Sequence, residues 1–464
     1  MTMNRRNFLK TGLASAAVAG SGLPLARTTR AAPAANGAGS ARNLIFLVSD
    51  GMSSGTLAIA DQFIRWRDGR PSNWFALYEA GRVRRGLMET ASNNSIVTDS
   101  AAASAAWGGG HRVNNGALNI GPDGTHHTPI LVHAKQAGKA TGLVTTATAT
   151  HATPAGFTVN IPHRGDERAI ARQYFEREVD VILGGGRPHF GGGLVAEFEA
   201  KGYGHARTTA DLQRLVRTHT RLLGLFADGH VPYEIDRVNH EGLTSSVPSL
   251  KDMTVAALAA LNRNTDGFLL QVEGARVDHA AHANDIAGLL FDQIAFDEAI
   301  GAAVTYANAV PDTLVIITTD HGNANPGLSS GDNGGQRHFS ALSAFKGSHR
   351  AVLSRVNAGH SAEDIRERIR EATGLGVSTG QADALRARLN NELQVPYTRM
   401  SSPDAVLGQI IANHTDIGWV GNAHTSDHVE LCAFGPGSDQ IRAFQKNTDL
   451  FTVMAKALDL RVEG

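Results

Sequence analysis

Acids and histidines able to bind cations recur in short motifs spread along the chain. Asp50 stands in Ser49-Asp50-Gly51 and Glu273 in Val272-Glu273-Gly274. Asp278, His279 and His282 share the run Val277-Asp278-His279-Ala280-Ala281-His282, Asp320-His321 precedes Gly322, and His424 precedes Thr425. Asp278 and His282 are one helical turn apart and can chelate one ion; an i,i+4 salt bridge on a solvated helix is the alternative. The adjacent pair Asp320-His321 suits a strand-to-loop junction, where alternation breaks and both side chains can turn to one ion. Taken singly, Asp50 could be a turn residue and His424 a loop histidine. Taken together, the groups are enough for two zinc ions and a harder third ion with oxygen ligands. The nucleophile candidate is Ser100, in Val97-Thr98-Asp99-Ser100-Ala101-Ala102. The alanines after it favour helix, so Ser100 falls at a helix N-terminus, where unpaired amides and the dipole attract phosphate and favour an alkoxide. A plain N-cap role for Asp99 or Ser100 is the alternative. No histidine base is adjacent, so activation falls to a metal.

The elements that must position these groups are short apolar, β-branched runs: Asn43 to Val48, Ala140 to Thr145, Val179 to Leu183, Gly267 to Val272, Thr313 to Thr318 and Val429 to Phe434. Such runs suit strands buried on both faces. Helical patterns, such as Ser249 to Leu261 and Ile286 to Ala307, lie between them. The expected fold is α/β, a large mostly parallel central sheet flanked by helices. Asp50, Glu273 and Asp320 all follow strands, and the functional crevice of an open α/β sheet lies beyond the carboxyl ends of its strands. From about residue 323 to residue 414 the chain reads differently, Gly-rich and polar at first and then as three amphipathic helices. Ser361 with Asp364 resembles a capping box, Gly374 can close the helix, and Pro403 after Ser402 suits a first helical turn. This stretch is expected to be an inserted helical cap, serving as a substrate-access lid or a dimer contact.

The chain has 464 residues, with 43 Lys plus Arg against 44 Asp plus Glu. The resulting net charge of -1 gives no footprint for nucleic acid or an acidic membrane. Its 20 histidines fit a zinc protein, and its single cysteine, Cys432, lies in an apolar run where a buried core thiol is expected. At the N-terminus Arg5-Arg6 is followed by Phe8-Leu9-Lys10 and an apolar stretch, Gly12 to Leu25, too short and too rich in Gly and Ala to span a bilayer stably. Residues 1–38 resemble a twin-arginine signal, so a mature protein beginning near residue 40 is expected in the periplasm or outside the cell.

The motifs stand in the order found in the alkaline phosphatase family, which the chain resembles from about residue 42 to residue 436 outside the helical stretch. They are Asp50-Gly51-Met52, Thr98-Asp99-Ser100-Ala101-Ala102, Asn115-Gly116-Ala117-Leu118, His151-Ala152-Thr153-Pro154-Ala155, Leu183-Gly184-Gly185-Gly186-Arg187, Val272-Glu273-Gly274, Thr319-Asp320-His321-Gly322 and His424-Thr425. The resemblance implies hydrolysis of phosphate monoesters to alcohol and inorganic phosphate through a phosphoserine on Ser100. It implies one zinc on Asp278, His282 and His424, a second on Asp50, Asp320 and His321, and a magnesium on Asp50, Thr153 and Glu273. Arg164 matches the family's phosphate-binding arginine, oriented by Asp99, and a homodimer is the family default. The better known bacterial pattern has an acid at position 151 and a lysine at position 279. Histidine at both places puts His151 just behind the magnesium ligands and His279, a titratable group, near the phosphate. The expected consequences are weaker magnesium retention, looser product phosphate and an alkaline activity optimum. Two superfamily rivals fit less well: sulfatases need a modified nucleophile in a setting that neither Cys432 nor Ser100 has, and diesterases commonly use threonine and lack the arginine. A zinc-storage protein would have no need of Ser100 beside Asp99 and Arg164.

Overall fold

Residues 40–329, 336–392 and 398–462 are described by a computed structural model. The expected twin-arginine signal, residues 1–38, lies outside them. In chain order the large sheet contains β1 (Asn43–Ser49), β2 (Arg84–Glu89), β3 (Ala140–Thr148), β4 (Val181–Gly185), β5 (Gly204–Ala206), β6 (Leu222–Leu225), β7 (Phe268–Gly274), β8 (Thr313–Thr318), β9 (Val429–Phe434) and β10 (Phe444–Lys446). Their order across the sheet is β10-β2-β9-β8-β1-β7-β3-β4-β6-β5. Every neighbouring pair is parallel except the two that β9 makes, with β8 and with β2. The architecture is thus the expected α/β fold, with one reversed strand.

The central strands are apolar throughout because both faces are covered. From β1, Ile45 and Leu47 join one core layer, together with the long helix Ile286–Ala309, while Leu44, Phe46 and Val48 join the layer on the other face. There the Phe46 ring lies 5.1 Å from Trp107 and 5.2 Å from Phe157. Burying each such side chain stabilises the fold by roughly 1.5–3 kcal/mol, so the centre of the sheet is its most rigid part. Cys432, on β9, is fully buried, and burial pushes its thiol up to about 12.

Strand register fixes where the chemistry goes. Val48 is level with Glu273 on β7 and with Thr318 on β8. Asp50 and Asp320, each two residues further on, therefore emerge beside Glu273 at the same carboxyl edge.

The chain between Gly322–Asn323 and His424–Thr425, two short strands that pair antiparallel, is mainly helical. Its described residues contain five α-helices rather than three: Gln336–Ser343, His349–Leu353, Ala362–Thr373, Thr379–Leu389 and Pro403–Thr415. The first two span eight and five residues, too few for a helical period to show in sequence. Ser361 and Asp364 do form a capping box, Gly374 closes that helix at φ 73°, and Ser402 caps the helix that Pro403 opens. Phe339, Leu342, Ile365, Ile369, Leu385 and Leu407 extend the same core layer as Ile45. Among the described residues no helix is long and apolar enough to cross a membrane.

Candidate active site

Ser100 is the first residue of the helix Ser100–Gly109, and Asp99 is its N-cap, with Oδ1 accepting from Ala102 N at 2.9 Å. All ten residues of this helix are buried, and it packs on the short helix Ala152–Gly156 that carries Thr153. Small residues make that approach possible: a Cβ on Gly156 would lie 2.2 Å from Ser104 Oγ, which itself donates to the Thr153 carbonyl. Gly51 serves the same purpose after β1, since at φ +68° a Cβ there would meet Asp278 Oδ1 at 2.5 Å.

The acids and imidazoles converge into three groups, each with ligand atoms within 4.8 Å of one another: Asp278, His282 and His424; Asp50, Asp320 and His321; and Asp50, His151 and Glu273. In the first group His282 Nδ1–H faces the Asn422 carbonyl at 2.9 Å and His424 Nδ1–H the Thr98 carbonyl at 2.8 Å. Carbonyls can only accept, so both protons sit on Nδ1 and both Nε2 lone pairs turn inward, 3.1 Å apart and within 3.5 Å of the Asp278 carboxylate. Two imidazole lone pairs and a carboxylate aimed at one point suit a cation, zinc above all. Although burial works to lower it, the Asp278 carboxylate holds His424 up at about 9, so a cation, a proton or a metal ion competing with it, is favoured between Nε2 and that carboxylate.

In the second group His321 Nε2 lies 3.0 Å from Asp320 Oδ2, 3.8 Å from Asp50 Oδ1 and 3.4 Å from Ser100 Oγ. Burial and the carboxylates of Asp320, Asp278 and Glu273 raise Asp50 well above the usual carboxylate range. For Asp320, burial alone would do the same, but His321 holds it below that range. In the third group Thr153 Oγ1 donates to Asp50 Oδ2 at 3.4 Å and Thr145 Oγ1 to Glu273 Oε2 at 2.5 Å. Burial pushes Glu273 up to about 7, against that hydrogen bond. Asp50 Oδ1, Asp320 Oδ2 and Glu273 Oε1 are buried without a hydrogen-bond partner among the described residues. Unpaired buried carboxylate oxygens are costly, so this donor set fits bound cations.

Arg164 reaches toward Ser100 from the side. Its Nη1 lies 3.0 Å from Asp99 Oδ2 and its Nη2 3.1 Å from His151 Nε2. Burial, then the Arg164 charge, holds His151 well below the usual imidazole range, and burial with Arg276 does the same to His279. His279 stands behind His151, ring centroids 5.5 Å apart, with Nδ1 accepting from Arg276 Nη1 at 2.7 Å.

The candidate residues Asp50, Asp99, Ser100, His151, Thr153, Arg164, Glu273, Asp278, His279, His282, Asp320, His321 and His424 therefore lie next to one another. His151 lies closer to the third group than a position behind its ligands would suggest. Supporting residues without a sequence signal are Thr145 and Asn323, whose Nδ2 donates to Asp278 Oδ1 at 2.6 Å, and Arg276 and His230 beside His279. Only an apolar strand with a threonine facing Glu273 in register could have pointed to Thr145.

Comparison with known proteins places the chain among enzymes of the phosphatase class. The alkaline phosphatase family profile matches residues 41–460. Alkaline phosphatase 4 of Bacillus subtilis is 31% identical over 449 residues, covering 94% of this chain and 93% of that one. The crystal structure of Thermus thermophilus alkaline phosphatase superposes with a TM-score of 0.85 at 36% identity, over 96% of this chain and 97% of that one. A cold-active alkaline phosphatase from a psychrophilic Shewanella sp. follows at 0.76 and 29%, over 90% and 99%. The chain belongs to the alkaline phosphatase family. A twin-arginine translocation pathway signal sequence matches residues 2–22, so the protein is exported.

Proposed function

We propose that this phosphatase hydrolyses phosphate monoesters in two displacements through Ser100. The observation that carries the reading is Ser100 Oγ, 3.4 Å from His321 Nε2, at the start of a helix whose cap, Asp99, also holds Arg164. The Arg164 fork binds two oxygens of the transferring phosphate, and the free amides of the helix N-terminus favour its negative charge. Ser100 Oγ attacks phosphorus, the bond from phosphorus to the alcohol oxygen breaks, and the alcohol leaves with a proton. Water then attacks the phosphoserine on the opposite side, releasing inorganic phosphate and restoring Ser100.

Asp278, His282 and His424 would hold one zinc and Asp50, Asp320 and His321 another, with a magnesium on Asp50, Thr153 and Glu273, joined by His151 where its ring nitrogen reaches. Bound there, such ions supply Lewis-acid stabilisation of negative charge on both oxygens of the displacement and lower the pKa of the serine hydroxyl. His151 and His279, both neutral, leave Arg164 as the cation that meets the phosphate.

The test is Ser100→Ala with metal content measured alongside turnover. Activity on an aryl phosphate should vanish with metals retained, while the unaltered protein should prefer that ester to a bis-aryl phosphate or an aryl sulfate. Undiminished turnover in Ser100→Ala would end the reading.

A further inference from the structure

Next to His279 and His230 lies a cavity of about 440 Å³, walled in part by His230, Tyr233, Arg276, Lys346, Arg350 and Arg355. We propose that this cavity is an anion subsite for the alcohol portion of the substrate, and that organic bisphosphates are preferred, with the second phosphate resting on Arg276, Arg350 and Lys346. The proposal rests on the phosphomonoesterase reading of Ser100 and adds a substrate class to it.

Arg276 is the strongest argument. It is 4% exposed, its Nη1 is committed to His279 Nδ1, and its guanidinium lies flat on the Tyr233 ring, 3.8 Å from the centroid. Its Nε has no hydrogen-bond partner, and the side chain makes no ion pair among the described residues. A buried cation in that condition is costly unless an anion arrives to meet it. Asp285 and Asp404 line an adjoining cavity with Arg276 and Arg350, and Asp285 accepts from the Ala287, Gly288 and His349 amides. Asp236 accepts from the Ser348 amide and hydroxyl, and Asp292 from the Glu234 amide. Burial raises both above the usual carboxylate range, which weakens them as counter-charges.

Lys346 and Arg350 are exposed at the mouth, and neither forms an ion pair among the described residues. Arg355 meets Glu371 only at 4.0 Å. Several cations lining one concavity repel each other, and a doubly charged phosphate relieves that repulsion while accepting from guanidinium forks. The volume falls within the range of small-molecule sites, about 300–1,000 Å³.

The cavity lies close to the chemistry. His230, in its wall, stands 4.4 Å ring to ring from His279, whose ring is 5.5 Å from that of His151, the partner of Arg164.

The experiment compares a hexose bisphosphate with the matching hexose monophosphate on the metal-loaded protein. KM should be about tenfold lower for the bisphosphate, the effect of one charge-assisted contact. In the Lys346→Ala, Arg350→Ala double variant, where Arg276 alone remains, that ratio should fall severalfold, with kcat and the monophosphate KM unchanged. Both positions are exposed and outside the catalytic groups, so folding is not at stake. A ratio of one in the unaltered protein, a ratio that survives in the double variant, or an equal change in both KM values would overturn the proposal. Calorimetric binding of the same two sugars to Ser100→Ala reads the subsite without turnover, and equal affinity there overturns it too. Failure to hydrolyse either sugar would instead count against the role of Ser100, leaving the binding ratio to decide the subsite.

Discussion

Asp99 divides its carboxylate between two tasks: Oδ1 caps the Ser100 helix through Ala102 N at 2.9 Å, and Oδ2 holds Arg164 Nη1 at 3.0 Å. The same oxygen also accepts from Gly116 N at 3.1 Å. The proposed nucleophile and the proposed phosphate-binding fork are therefore referred to one side chain, and substitutions there separate the tasks.

Asp99→Ala removes the cap and should cost about 1 kcal/mol of stability, while Asp99→Asn keeps a capping oxygen and loses the charge. Both should weaken competitive inhibition by inorganic phosphate, by about tenfold, because Arg164 is no longer held. Denaturant midpoints with phosphate inhibition constants check this. Equal stability of the two variants would refute the division.

Stripping metals should destabilise the protein strongly, since Asp50, Asp278, Asp320 and Glu273 are buried together. Ions that bind only the folded state at a thousand times their dissociation constant contribute about 4 kcal/mol. Unfolding curves of chelated protein, before and after zinc and magnesium are restored, give the number. Superimposable curves would show that no ion belongs there.

His151→Asp should raise magnesium affinity, on the order of tenfold, because ligand charge sets affinity for such ions. Without magnesium the same change should lower stability, as a further acid joins Asp50 and Glu273. A magnesium titration of the melting temperature reads both effects, and a variant indifferent to magnesium would count against the third site.

Burial, then Arg276, lowers His230 to about 4, and its Nδ1 accepts from the Thr148 amide. The unfolded chain takes up a proton near the ordinary imidazole value, so unfolding binds a proton between about pH 6.5 and about pH 4. Stability from this group is fully present above that window and is lost as pH falls through it. The loss should be about 1 kcal/mol at about pH 5, discounted for the partial exposure of the ring. His230→Asn should flatten the slope in urea midpoints taken at several pH values; an unchanged slope would place its origin elsewhere.

Much of the candidate site was legible in the sequence because Asp50, Glu273 and Asp320 follow or end strands that are apolar on both faces, so β1, β7 and β8 and their carboxyl ends were visible together. Edge strands gave less signal. β2 has charged residues at both ends and buries only Met88, and β5 and β10 are three residues long. The reversal of β9 has no mark in composition, since the same apolar run fits either direction. Thr145, Asn323 and Arg276 depend on which elements meet in space, and spacing along the chain does not encode that.

The strand pair Gly322–Asn323 and His424–Thr425 has a wider meaning. It brings the chain back within one hydrogen-bonded step of where it departed, with Asn323 steadying Asp278 on one side and His424 completing that ligand group on the other. The helices in between enter and leave the fold at one point, and because Phe339, Leu342, Ile365 and Leu407 pack into the main core, changes confined to their exposed faces should leave Asp278, His282 and His424 in place. On the proposed reading, changes in these helices would alter the cavity wall that Lys346, Arg350 and Arg355 form and leave the hydrolytic groups as they are.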